Sequence, residues 1–327
     1  LSGGAWGLVQ GMDGPVAALT PFGSGIVAVG GFTQADGITL NHVGLWDGHS
    51  WQPLGGGITL GAATGPYAQQ VTSAAVIGSD LYVSAWPGGV LRLNGNSWTT
   101  LYGAGAFGGA PIIAAWNDQV VCGAATGSFV IPEGNASSIG LWTGSAWSPL
   151  GEFSGLSSSL HPMATLNGAL YAASYLGVQR ITSTTGEWGS VANSSLNGGA
   201  YALVNHNGAI YASVFDSTDG VTGWVKMLNG STWQQLGGVF DTFPLALASV
   251  NGSLYAIGGF STIDDVEFDG IARWDGLAWQ PVGSGASGNV LAMAGLNGTI
   301  CAGGTFTSIG GRGYANFAVY GCTPAPA

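Results

Sequence analysis

The chain has 327 residues, 46% hydrophobic and only 6% charged, with 5 Lys+Arg against 16 Asp+Glu and a formal net charge of −11. So few cations leave no electrostatic footprint for a phosphate backbone or an anionic bilayer, which excludes nucleic acid and membrane surfaces as expected partners. No apolar run is long enough to cross a bilayer as a helix, so no membrane insertion is expected.

The chain starts at Leu1, without Met or a signal-like segment, and reaches Trp6 almost at once. With so little Lys it reads as a mature, processed, secreted or cell-surface protein. The 60 glycines and 13 prolines come with many aromatics, so they mark turns in a folded chain and not a disordered linker. Cys122, Cys301 and Cys322 are too few for a disulfide framework and lack metal-site spacing.

The first clear element is Gly44-Leu45-Trp46-Asp47-Gly48-His49-Ser50-Trp51-Gln52-Pro53-Leu54-Gly55, two apolar runs around an Asp-Gly turn. It returns at Gly140–Gly151 and Ala272–Gly283. Its second Trp forms a ladder of Trp6, Trp51, Trp98, Trp147, Trp188, Trp233 and Trp279, with spacings of 45, 47, 49, 41, 45 and 46. A repeat of this period implies one array rather than two domains.

Each unit reads as four short strands. After the Trp strand and a Gly-rich loop comes an alternating strand such as Val16-Ala17-Ala18-Leu19. An Asn-Gly turn follows at 167–168, 207–208, 251–252 and 297–298, the strongest short hairpin signal. Next comes a strand of the Leu254-Tyr255-Ala256 type, a variable loop, a strand ending at the Trp46 position and the Trp51 strand. The last unit ends at Val319-Tyr320-Gly321-Cys322, and Ala5–Val9 supplies its missing strand.

The expected fold is therefore all-β: a seven-bladed β-propeller of four-stranded blades over residues 1–322, closed by the N-terminal strand. Residues 323–327 read as a Pro/Ala linker tail.

The segments Gly30-Gly31-Phe32-Thr33 through Trp46-Asp47-Gly48, Gly258-Gly259-Phe260-Ser261 through Trp274-Asp275-Gly276, and Gly303-Gly304-Thr305-Phe306-Thr307 through Tyr320-Gly321 resemble kelch-related propeller repeats. These are of the cortical-marker and galactose-oxidase type. The resemblance is strong in units one, six and seven. It implies a secreted or cell-surface propeller and carries little about activity. The copper-radical chemistry of one kelch-type family needs a cysteine cross-linked to tyrosine and two histidines, and no such set can be placed here.

In this strand order the tight turns share one face of the disc and the longer loops the other. Asp47, Asp80, Asp118, Glu187 and Asp275 fall on the turn face. Asp13, Asp36, Glu133, Glu152, Asp216, Asp219, Asp241, Asp264, Asp265, Glu267 and Asp269 fall on the loop face. Asp264, Asp265, Glu267 and Asp269 are four carboxylates in six residues, the best candidate for Ca²⁺, which takes six to eight oxygens. They lack EF-hand spacing. Asp216 and Asp219 form a weaker version; no organic cofactor is expected.

The loop face also carries Tyr67, Trp86, Phe107, Phe129, Phe153, Tyr175, Phe215, Trp224, Phe240, Phe243, Phe268 and Tyr314. Rings beside carboxylates suit sugars, and Trp86, Trp224 and Phe268 are the candidate stacking residues; lids over the blade ends are the alternative. His42, His49, His161 and His206 fall at different places in the repeat and do not converge. Arg92, Arg180 and Arg273 share one third-strand position, which suggests blade-to-blade ion pairs or stems lying across apolar surface.

Cys301 and Cys322 fall near register for a disulfide, and Cys122 reads as a buried thiol. Asn135, Asn193, Asn229, Asn251 and Asn297 begin glycosylation sequons, three of which coincide with Asn-Gly turns. The expected function is extracellular, non-catalytic binding or scaffolding, with a glycan or a protein on the loop face and oligomeric state open. A polysaccharide lyase or hydrolase using loop carboxylates, and a structural subunit of a surface layer or fibre, are the alternatives.

Overall fold

The computed structural model describes residues 5–7, 11–61, 70–87, 89–102, 111–124, 129–130, 136–137, 139–151 and 162–321. Tyr67, Phe107, Glu133, Asn135, Glu152, Phe153, His161, Cys322, the side chain of Phe129 and the 323–327 tail lie outside the described residues.

Seven four-stranded antiparallel units follow one another, each running from an inner to an outer strand. Blade one is Val16–Phe22, Gly25–Gly30, Val43–Trp46 and Trp51–Pro53, and blade two is Gln70–Ile77, Asp80–Trp86, Gly89–Asn94 and Ser97–Tyr102. Blade three is Pro111–Trp116, Gln119–Ala124, Ile139–Trp142 and Trp147–Pro149, and blade four is Met163–Leu166, Ala169–Ser174, Gly177–Ile181 and Gly189–Ser190. Blade five is Gly198–His206, Ala209–Asp216, Gly223–Asn229 and Thr232–Phe240, and blade six is Ala246–Val250, Ser253–Ile257, Ile271–Trp274 and Trp279–Pro281. Blade seven takes Val290–Leu296, Thr299–Gly304 and Phe317–Tyr320, and its outer strand is Trp6–Gly7.

The seam is therefore closed by the two ends of the chain. Trp6 pairs with Tyr320 and Gly7 with Val319, the Gly321 amide donates to the Ala5 carbonyl, and the Trp6 and Tyr320 rings sit 5.1 Å apart. Cys301 is fully buried opposite Val319 in this blade.

The Asn-Gly turns behave as their chemistry requires. Asn167, Asn207, Asn251 and Asn297 have φ of 48–49° and are each followed by a positive-φ glycine, the type I′ geometry that matches strand twist.

The core is a set of wedges between blades. Among the described residues the buried apolar side chains fall into seven clusters, one at each interface between successive blades. Second strands are buried on both faces because alternate residues serve opposite neighbours. Leu254 and Ala256 pack toward blade five, whereas Tyr255 and Ile257 pack toward blade seven.

The outer Trp ladder locks these wedges. Each indole enters the interface with the preceding blade, and four of them donate to the carbonyl three residues beyond that blade's own ladder Trp. Trp98 reaches Leu54 at 3.1 Å, Trp188 reaches Leu150 at 2.7 Å, Trp233 reaches Val191 at 2.8 Å and Trp279 reaches Leu236 at 3.0 Å. The residue after that carbonyl is left-handed in each of these four cases, Gly55, Gly151, Gly237 and Ala192, and at two of them glycine makes the room. A Cβ on Gly55 or Gly237, both at positive φ, would come within 2.7 Å and 2.6 Å of the incoming indole.

One expectation is corrected at this level. Arg92 does not bridge blades: it pairs at 2.7 Å with Asp80 on the adjacent strand of its own blade. Arg92, Arg180 and Arg273 each stand opposite a second-strand tyrosine, Tyr82, Tyr171 and Tyr255 respectively. The variable loops of blades one and six carry strands of their own. They contain the small hairpins Gln34–Ala35/Ile38–Thr39 and Thr262–Ile263/Val266–Glu267. Each hairpin is bridged to the chain leaving the preceding blade, through Met12–Ala35 and Phe240–Ile263. Blade seven repeats the bridge as Ala286–Ile309.

Candidate functional site: the loop face of blades four to six

The acidic loop of blade six is a turn device. Asp264 and Asp265 have φ of 49° and 63°, matching Asp36 and Gly37 at 52° and 73° in blade one and Gly310 and Gly311 at 61° and 72° in blade seven. These three pairs fill the same two left-handed positions, which favour Gly, Asp and Asn. Asp264 turns back to accept the Val239 amide at 2.9 Å. Asp269 is also left-handed, φ 48°, and its carbonyl accepts the Ala286 amide. Among the described residues no three His, Cys, Asp or Glu side chains converge well enough to hold a metal ion. By that measure Asp264, Asp265, Glu267 and Asp269 are not drawn into one common ligand set.

Asp216 and Asp219 are likewise engaged by their own turn. Asp216 accepts the Thr218 amide and hydroxyl at 2.8 and 2.7 Å. Asp219 accepts the Val221 and Thr222 amides at 2.8 and 3.0 Å and the Thr222 hydroxyl at 2.7 Å. The Thr222 hydroxyl and these amides hold the Asp219 carboxyl below its ordinary range. Both carboxylates help to close residues 216–222.

The three expected stacking residues are not an exposed platform. Phe268 is buried, at the position taken by Leu40 in blade one and Tyr314 in blade seven, both also buried. Trp86 is half-buried and packs into the wedge between blades two and three. Trp224 is half-buried among Leu196, Val191 and Ala192, with the Lys226 ammonium 5.3 Å above its ring. Lys226 donates to the Ser195 and Leu196 carbonyls at the end of the helical turn Asn193–Leu196, and burial pushes its pKa down. These rings sit in different blades, and neighbouring apolar side chains cover them.

A different set of rings does come together. Tyr175 lies 5.3 Å from Phe215, Phe215 lies 5.7 Å from Phe243, and Phe243 lies 4.9 Å from Tyr201. Each is placed by a local feature. Tyr175 and Leu176 occupy a tight turn closed by Ser174, whose hydroxyl accepts the Leu176 amide, and by Gly177 at φ 117°. Phe215 ends a second strand and lies over Gly199, where a Cβ would meet its ring at 2.2 Å. Phe243 lies on Gly223, and its amide donates to the Val221 carbonyl. Tyr201 sits at a β-bulge of the inner strand, between Ala200 and Ala202. The sequence places Tyr175, Phe215 and Phe243 on the correct face but gives no sign of Tyr201, because the bulge that turns it outward is not written in the periodicity.

Six large apolar residues are well exposed among the described residues, and five of them belong to this region: Tyr175, Leu176, Val221, Val239 and Val266. The sixth, Leu277, lies on the opposite face at 90% exposure. Exposed apolar residues gathered on one face mark an interaction surface. Asp216, Asp219, Asp241, Asp264, Asp265 and Glu267 rim it. The rings meet at interplanar angles of 50–69°, so they offer edges rather than one flat face.

No family model and no curated protein matches the chain. Solved structures do share its fold. The extracellular domain of a putative one-component system from B. thetaiotaomicron aligns at TM-score 0.63 and 13% identity, covering 96% of this chain and 39% of that one. This chain thus spans about two-fifths of that protein's length. The WD40 propeller domain of Doa1 aligns at TM-score 0.62 and 13% identity, covering 98% and 97%. An ancestral GH74 enzyme aligns at TM-score 0.62 and 14% identity, covering 96% and 47%. The chain is a β-propeller. At these identities the likeness extends to the fold and not to a site.

Proposed function

We propose that this protein is an exported, kelch-like, non-catalytic binding module whose loop face over blades four to six holds a protein partner. The observation that carries the reading is the gathering of Tyr175, Leu176, Val221, Val239 and Val266 on one face, backed by four packed rings and rimmed by acids. Apolar anchors inside a charged rim are the general anatomy of a protein interface. The rim asks for Lys or Arg on the partner. A protein suits the surface better than a glycan, because the tilted rings lack the flat, open face on which a sugar stacks. The non-catalytic part of the reading is supported by five loop carboxylates, Asp13, Asp216, Asp219, Asp241 and Asp264, that bind local backbone amides.

The test is selection of binders from a random peptide library against the folded protein. Enriched peptides are expected to carry aromatic or aliphatic anchors flanked by Lys or Arg, and to lose affinity at high salt. The triple variant Tyr175→Ser, Leu176→Ser, Val221→Ser should bind them at least about tenfold more weakly, since a central anchor contributes more than about 1 kcal/mol. Equal binding to the triple variant would overturn the assignment. Glycan-array binding that is lost in the same variant would move the ligand class to sugars.

A further inference from the structure

The inner strands of all seven blades line a central channel, and its walls differ from the loop face described above. Alanines hold the bore open on six of the seven strands: Ala18, Ala74, Ala114, Ala164, Ala248 and Ala292. A void of about 420 Å³ toward the loop face adjoins one of about 560 Å³ deeper in, and the two share Ala74, Ile113, Met163 and Val204. No charged side chain lines either void. The first acid met is Asp118, at the turn-face mouth. Ligand sites of a few hundred Å³ are typically apolar with a small number of placed polar groups.

Of the polar side chains on these walls, Thr20, Thr72, Ser73, Thr165, Asn205 and Ser249, the last two are the exposed ones, on adjacent inner strands. Asn205 is oriented by donating to the Thr165 carbonyl at 2.9 Å. Behind Ser249 stands His206, a buried histidine in the wedge between blades five and six. Its Nδ1 lies 2.9 Å from the Ser249 hydroxyl, its Nε2 lies 3.1 Å from the Asn207 amide nitrogen, and its ring packs edge-on to Tyr211 at 5.6 Å. An amide nitrogen only donates, so the tautomer that satisfies this contact accepts at Nε2 and carries its proton on Nδ1. In that tautomer the Nδ1–H donates to the Ser249 oxygen and leaves the serine O–H free to donate to a molecule in the channel. Burial lowers the His206 pKa and so keeps the ring in this neutral, one-directional state.

We propose that the central channel is a binding site for a small uncharged molecule with a carbonyl or ether oxygen, which accepts the Ser249 hydroxyl. A charged ligand would enter walls that offer it no counter-charge, at a large desolvation cost. This site is independent of the loop-face reading.

The probe is Prodan, a neutral solvatochromic naphthyl ketone, titrated into the intact protein. One saturable site per chain with blue-shifted emission is expected. Ser249→Ala should weaken it about five- to tenfold, the loss of one neutral hydrogen bond. Ala114→Trp or Ala292→Trp, which fill the bore, should abolish it, and Tyr175→Ser should leave it unchanged. The His206 ring-nitrogen resonances of the wild-type protein should move during the titration, a readout that needs no variant to fold. Absence of a saturable site, undiminished binding in folded bore-filled variants, or silent His206 resonances would overturn the proposal. Equal affinity in Ser249→Ala would overturn the role given to that hydroxyl.

Discussion

At the scale of single residues, half of the described acids are backbone ligands. Asp13 accepts the Thr33 amide at 2.7 Å, the Thr33 hydroxyl at 2.5 Å and the Gln34 amide at 2.8 Å. Burial pushes its carboxyl up, but the bonds from Gln34 and Thr33 outweigh that and hold it below the ordinary range. Asp241 does the same for Ser261 in blade six. Asp47 and Asp275 each cap their own turn through two amides and a glutamine side chain, Gln52 or Gln280. We predict that Asp13→Ala lowers stability by about 1–2 kcal/mol in urea unfolding, while Asp13→Asn, which keeps an acceptor, costs less than half of that. Equal losses would mean that the charge, and not the acceptor, matters. Composition alone could not separate these capping acids from metal ligands. Both prefer Gly-rich loops, and the deciding quantity is a backbone angle that the one-letter code does not contain.

At the scale of elements, the Trp-x-x-Leu-Gly string was the most legible signal in the chain, and each of its letters has a structural job. Trp fills the wedge behind its blade, the residue three further on offers the carbonyl, and Gly makes room for the next indole. The ladder is incomplete at Trp6 and Trp51, whose Nε1 atoms are buried without an acceptor among the described residues. A buried hydrogen bond lost from one side leaves its partner unsatisfied. Trp279→Phe, which orphans the Leu236 carbonyl, is therefore expected to cost about 1 kcal/mol more than Trp6→Phe, which orphans nothing. The two unfolding midpoints decide the matter, and the reverse order would show that indole packing outweighs the bond.

At the scale of the whole molecule, acid is expected to unfold the protein in two steps. Burial pushes His42 and His206 below the ordinary imidazole value of 6.5. As pH drops through that value the unfolded chain takes up protons that the folded chain refuses, so stability declines. Hydrogen bonds hold Asp13, Asp47, Asp219 and Asp275 below the ordinary carboxylate value of 3.8, so their contribution is present above that pH and is lost below it. Urea midpoints at pH 7, 5 and 3 should fall at both intervals, and His206→Gln should flatten the first. A constant midpoint from pH 7 to 5 would contradict the histidine part. Fold and binding surface were unequally legible for a physical reason. The propeller is written seven times, in hairpin turns and in Trp ladders, so errors in one copy are corrected by the others. The aromatic strip is written once, from single residues of three blades, and only the ring geometry brings Tyr175, Tyr201 and Phe243 together.

Closing the ring with Trp6–Gly7 also changes what counts as next to what. Read as a line, the well-kept copies of the repeat stand at opposite ends of the chain, in blades six, seven and one. Read as a circle, they are consecutive, with matching hairpins at 34–39 and 262–267 and blade-to-blade bridges at Met12–Ala35, Phe240–Ile263 and Ala286–Ile309. The molecule therefore divides into a regular sector straddling the termini and a divergent sector facing it across the channel. The exposed apolar strip begins in the divergent sector, at Tyr175 and Leu176, and stops where the regular one begins, at Val266. The ring is thus a fixed half that holds the register and a free half whose surface was at liberty to change.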